Sequence, residues 1–199
     1  MGSNKTYKRK RNPVILLVCE GKNKTERQYF YHFNTRESHF QLKIKDSEAT
    51  DVMGMARKAA TLYKNNEMDV KNGDQAFCLI DLDLNHDKYE KYIEASKKYP
   101  KIKFIVSNPC FEIWLLYHFT ETPKVELSSK AVKEQLKKYI PEYNEAMDVY
   151  LKCNLEHKYE MAICRSQKRN SLYETDISLE NRNPYTEIQD LVIALKQTN

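Results

Sequence analysis

Three carboxylates stand where chain geometry would gather them. Glu20 directly follows the apolar run Val14–Cys19, and Asp81 and Asp83 directly follow a second such run, Gln75–Ile80. Runs of this kind, with β-branched residues at the start, read as strands covered on both faces. In open parallel sheets, ligands bind off the carboxyl ends of the strands. Two acids at i, i+2 on extended chain point to one side, so Glu20, Asp81 and Asp83 are expected to converge. Acids packed together repel unless a cation neutralises them, and a hard, oxygen-seeking ion such as Mg²⁺ or Mn²⁺ suits that role. Gly21 lets the backbone turn tightly after Glu20. Acids at these positions also cap helices, and spacing alone leaves both readings open.

Other motifs fail on their own terms. Asp81-x-Asp83-x-Asn85 opens like an EF-hand, but His86 stands where that loop needs glycine and Tyr92 where it needs glutamate. Gly21-Lys22 resembles the end of a P-loop, but Leu16 replaces the first glycine and no Ser or Thr follows Lys22. No GxSxG or HExxH is present. The five cysteines form no CxxC pair, which argues against zinc and suits a reducing, cytoplasmic setting.

The elements that would carry these acids alternate. A helical pattern follows Gly21, with Thr25 as its expected cap and Tyr29, Phe30 and Phe33 at helical spacing. Gln41–Lys45 reads as a strand, 51–66 as a helix, Gln75–Ile80 as a strand, Asp87–Lys98 as a helix and Lys103–Val106 as a fourth strand. Asn108-Pro109 opens a helix over Cys110–Phe119. This order predicts an α/β fold over residues 13–122, with a mostly parallel four-stranded sheet flanked by helices. From residue 123 the pattern is helical, near Ser129–Tyr139, Tyr143–Lys152, His157–Lys168 and Pro184–Lys196, with a polar loop at Asn170–Asn183. This portion, 123–199, is expected to pack on the sheet.

Residues 1–12 carry Lys5, Lys8, Arg9, Lys10 and Arg11 with no acid, and read as a basic, disordered arm. They account for the whole formal charge of +5, so the remaining chain is neutral. Such an arm can neutralise phosphates, or it can be a solvated terminus. No apolar run approaches the roughly 20 residues that span a bilayer, and no membrane partner is expected.

The run Val18-Cys-Glu-Gly-Lys-Asn-Lys-Thr-Glu26, then Leu79-Ile-Asp-Leu-Asp83, then Ser107-Asn-Pro-Cys-Phe-Glu-Ile-Trp-Leu-Leu-Tyr-His-Phe119, resembles the RloB-like family; Asn183-Pro-Tyr-Thr186 fits it too. The resemblance implies a Toprim-like (topoisomerase–primase) fold and a prokaryotic phage-defence setting. It implies Glu20 in proton transfer or metal binding, and Asp81 and Asp83 as a metal-binding pair. The chemistry implied is Mg²⁺-dependent cleavage of DNA or RNA, with an ATPase or other defence-system protein as partner. The alternative is a non-catalytic Toprim-like module that binds nucleic acid, nucleotide or a partner protein.

Glu112 is read either as a fourth metal ligand or as an acid favoured at a helix start, and Glu26 as an acid behind the ligands. Asn108 is read as a helix cap or a phosphate ligand. Lys22 and Lys24, beside Glu20, and Arg165, Lys168 and Arg169, near a helix end, are the expected nucleic-acid contacts. Cations at those places are also ordinary turn and helix-end residues. Phe111, Trp114 and Phe119 read as core.

Overall fold

The computed structural model describes residues 11–20, 24–49 and 51–197. Lys5, Lys8, Arg9, Lys10, Gly21 and Lys22 lie outside them, as does the Lys24 side chain. Four parallel strands form first: β1 (Val14–Glu20), β2 (Gln41–Ser47), β3 (Gln75–Asp81) and β4 (Ile102–Asn108). A fifth, β5 (Tyr185–Thr186), lies antiparallel beside Ser107 and Asn108, giving the order β2-β1-β3-β4-β5. The sheet therefore has five strands where the sequence predicted four. Two residues are too short to carry any periodicity, so β5 left no signal.

Alternation along the central strands builds two cores. Ile15, Leu17, Cys19, Phe77 and Leu79 face one layer, while Leu16, Val18, Cys78 and Ile80 face the other. Helices α2 (Val52–Asn65) and α3 (His86–Lys98) cover the second face. The first face takes α1 (Lys24–Tyr31), α4 (Glu112–Tyr117), α5 (Ser129–Leu136), α6 (Val149–Lys152), α7 (Tyr159–Asn170) and α8 (Ile188–Gln197). Trp114 is fully buried among them. Truncating such a side chain costs about 3–5 kcal/mol, so this layer anchors the C-terminal helices to the sheet. The α/β architecture is compatible with the Toprim-like arrangement that the family resemblance implies. Among the described residues, no helix is long and apolar enough to cross a membrane.

Several local expectations change. Thr25 lies inside α1, and its hydroxyl donates to the Glu145 carbonyl at 3.0 Å instead of capping. The helix after Pro109 is shorter than expected, and the peptide bond before Pro109 is cis. Only Val149–Lys152 is helical within 143–152, because the Asn144 side chain accepts the Ala146 N–H in a turn and Asp148 caps the helix start by accepting the Leu151 N–H. Arg11 is not free: it pairs with Asp74 at 2.5 Å, and Asp74 also accepts the Val14 N–H at 2.7 Å. All five cysteines are free, and Cys19, Cys78 and Cys110 are buried.

Candidate active site

The strand order reverses direction between β1 and β3: the chain goes outward from β1 to β2, then returns to β3 and β4. Carboxyl ends of strands diverge at such a switch point and leave a crevice. Glu20 ends β1 and Asp81 ends β3, so both acids border it.

The pleat separates them. Val18 pairs with Cys78, which sets Glu20 level with Ile80, one residue short of Asp81. Glu20 thereby continues the Leu16–Val18 side, while Asp81 continues the Phe77–Leu79 side. Asp81 meets α4, where burial, then the charges of Glu112 and Asp83, push its carboxyl well above the ordinary range against the opposing Phe111 N–H and Lys88. Glu26 of α1 joins from the same side. Burial, then Asp81, Glu112 and Glu20, raise it likewise, and its Oε2 is buried without a hydrogen-bond partner. Glu112 is 2% exposed and accepts from the Tyr143 hydroxyl at 2.7 Å. Lys133 approaches Glu112 to 3.7 Å and also binds Glu145. The inner cluster is thus Glu26, Asp81 and Glu112.

Asp83 is placed differently. The chain is no longer extended there: Asp83 and Leu84 have φ of 53° and 57°, so the i, i+2 rule lapses. Its N–H donates to the Pro109 carbonyl at 2.8 Å. The carboxylate accepts from Lys88 Nζ at 2.5 Å and from the Ser129 hydroxyl. It does not cap α3, because Asn85 does so through the Lys88 N–H at 3.1 Å. Burial opposes the Lys88 ammonium, but its bond to Asp83 and the charges of Asp83, Glu20 and Asp81 outweigh that and hold its pKa above the usual lysine value.

Asn108 does not cap a helix; its side chain is bonded within the protein. It is fully buried; its Oδ1 accepts the Leu84 N–H at 3.2 Å, and its Nδ2 donates to the Glu180 and Arg182 carbonyls at 2.9 and 3.0 Å. Sequence reasoning missed Lys88, Lys133 and Tyr143. Only the i, i+5 spacing of Asp83 and Lys88 could have signalled the first, and the other two arrive by tertiary packing.

The donor chemistry fits a divalent cation: the oxygens are hard, two of the acids carry the strain of mutual repulsion, and one buried oxygen is orphaned. As the side chains stand, no three His, Cys, Asp or Glu among the described residues form a ready-made metal-holding group. Arg165, Lys168 and Arg169 all lie on α7, with Arg165 donating to the Tyr117 carbonyl at 3.0 Å.

No curated protein and no solved structure matches the chain. The family model described as RloB-like protein matches residues 15–195, nearly the whole length and every element that builds the acidic crevice, and the chain belongs to that family.

Proposed function

We propose that the protein is a Mg²⁺- or Mn²⁺-dependent nuclease that hydrolyses phosphodiester bonds of DNA or RNA at the crevice between β1 and β3. The observation that carries this reading is the buried acid cluster of Glu26, Asp81 and Glu112 beside Glu20, which Lys88 and Lys133 compensate only in part. Asp81, Asp83 and Glu112, with Glu20 reaching across from the end of β1, are the residues that would hold the metal; Lys88 already feels the charges of Asp83, Glu20 and Asp81 together. When bound, a divalent ion supplies charge stabilisation on the phosphate oxygens. The half-buried Glu20 carboxylate would take a proton from a water molecule as the water oxygen adds to phosphorus. The P–O ester bond breaks and the leaving oxygen gains a proton from solvent. Tyr143 fixes Glu112 through its hydroxyl, and Lys88 occupies Asp83 until a metal takes its place. The family membership supports a cytoplasmic role as an effector of prokaryotic phage defence, working with a defence-system protein such as an ATPase.

Plasmid, single-stranded DNA and transfer RNA incubated with the protein in Mg²⁺, Mn²⁺ or EDTA should be cut only with metal. Asp81→Asn should reduce cleavage by about 100-fold or more, the scale of removing one preorganised charge-stabilising group. Equal cleavage by both proteins would remove the proposal. A second reading, a non-catalytic binding module, is favoured by one observation: Asp83 is already engaged by Lys88 and Ser129. It predicts that Glu20→Gln, Asp81→Asn and Asp83→Asn retain full activity in cells.

A further inference from the structure

The C-terminal half of α7 carries a recess of about 160 Å³ lined by Thr122, Arg165, Lys168, Arg169 and Leu172, with Cys164 in its wall. One acid, Glu121, also lines it. Among the described residues, neither these three cations nor the nearby Arg182 has a carboxylate within salt-bridge distance. Clustered cations without counter-charges repel one another, so an anion in the recess would relieve them. The Arg169 Nε is buried and has no hydrogen-bond partner, so the protein does not compensate that donor either. The volume lies below the roughly 300 Å³ of ordinary small-ligand pockets, so it suits a single phosphate group and not a whole nucleotide.

The recess belongs to the same edge of the sheet as the acids. Asp81 pairs in register with Ser107, and Ser107 with Thr186. Asn170, next to Arg169, donates to the Thr186 carbonyl at 2.7 Å. Two strand spacings, roughly 10 Å, therefore separate Asp81 from the strand to which this end of α7 is tied. Beside it, Arg169 and Arg182 lie against the Tyr173 ring at 5.3 and 6.0 Å, and Arg182 against Tyr185 at 5.6 Å. Tyrosine packing holds these guanidinium planes stiff, and unpaired bases stack on such planes.

We infer that the recess binds a backbone phosphate of single-stranded nucleic acid, with unpaired bases stacked over Arg169 and Arg182, a short way along the strand from the acids. A duplex can offer a phosphate but keeps its bases inside the stack, so it cannot add the stacking on the guanidinium planes. The inference deepens the nuclease reading by naming its substrate class, but binding here needs neither metal nor cleavage.

The test is fluorescence anisotropy in EDTA, with single-stranded DNA, single-stranded RNA and blunt duplex of equal length. Both single strands should bind about tenfold tighter than duplex, the worth of one stacked base. Lys168→Ala should weaken single-strand binding and lower the salt slope by about 0.7, one phosphate contact on a single strand. Arg182→Lys keeps the charge but loses the plane, and should weaken single strands while sparing duplex. Lys168 is exposed and makes no side-chain bond among the described residues, so its variant should fold as the parent does. Tighter binding with an added 5′-phosphate would assign the recess to a strand end; no change would assign it to an internal phosphate. Equal affinity for duplex, or an unchanged affinity and slope in Lys168→Ala, would overturn the inference. Failure to cleave in the separate metal assay would leave this binding result intact.

Discussion

Lys88 sets an ammonium among carboxylates. Its Nζ reaches Asp83 at 2.5 Å and the Asp81 carbonyl at 3.2 Å. It therefore occupies part of the electrostatic role that a divalent ion would take, and the two compete for the same oxygens. Both partners are partly exposed, with side chains 26% and 40% accessible, so solvent screens the pair and its own contribution to stability is small. Removing the competitor should nevertheless favour a cation. Lys88→Met is expected to tighten Mg²⁺ binding by about three- to tenfold, consistent with roughly 1 kcal/mol of charge–charge interaction near a solvated surface. Isothermal titration of the parent and variant would decide it. Weaker binding by the variant would mean that Lys88 organises Asp83 for the ion instead of opposing it. Ser129 holds the other Asp83 oxygen, so Ser129→Ala offers an independent comparison that leaves the lysine in place.

The turn after β3 and the segment before β5 are tied to the end of β4 because Asn108, its last residue, bonds to both. Asn108→Ala would leave the Leu84 N–H and two carbonyls without these partners. A loss of about 2–4 kcal/mol is expected in urea denaturation, from several buried groups left short of hydrogen bonds. Faster hydrogen exchange at the Leu84 amide should accompany it, marking local loosening of the turn that holds Asp83. Unchanged Leu84 exchange would show that the Pro109 carbonyl bond to Asp83 suffices alone. This junction explains what could be read from sequence and what could not. Strands β1, β3 and β4 were legible because burial on both faces demands continuous apolar runs, and their terminal acids were legible with them. The convergence of Glu20, Asp81 and Asp83 was not. It assumed extended chain through Asp83, whereas the backbone there turns left-handed, and it ignored the pleat that sends Glu20 and Asp81 to opposite sides. Glu26 was read as an acid behind the ligands, but not as a buried one; its burial comes from α4 and from the Tyr143–Glu145 segment, which the chain supplies much later.

Across the whole molecule, two sets of buried groups pull stability in opposite directions with pH. His118 is buried on α4's end, with Nδ1 at 3.1 Å from the Trp114 carbonyl and Nε2 near the Tyr29 hydroxyl. Burial, helped by Lys158 and Arg165, lowers its pKa to about 4. A histidine depressed in the fold stabilises it above the unfolded value near 6.5. That contribution, at most about 3 kcal/mol, is lost as pH falls from there towards 4. Glu26 and Asp81 have the opposite sign, because their folded pKa values are raised. Their contribution is complete below the ordinary carboxylate range and is lost as pH climbs through the raised values. Metal-free protein should therefore show two opposed pH slopes, an acid limb set by His118 and an alkaline limb set by Glu26 and Asp81. His118→Gln should flatten only the acid limb, and Glu26→Gln only the alkaline limb. Mg²⁺ binds ionised carboxylates, so it should lift the alkaline limb of the parent and leave the acid limb alone. Thermal melts from pH 4.5 to 8.5, with EDTA or Mg²⁺, separate these effects. An alkaline limb that Mg²⁺ cannot raise would mean that the buried acids are not neutralised by a divalent ion, leaving Lys88 and Lys133 as their counter-charges.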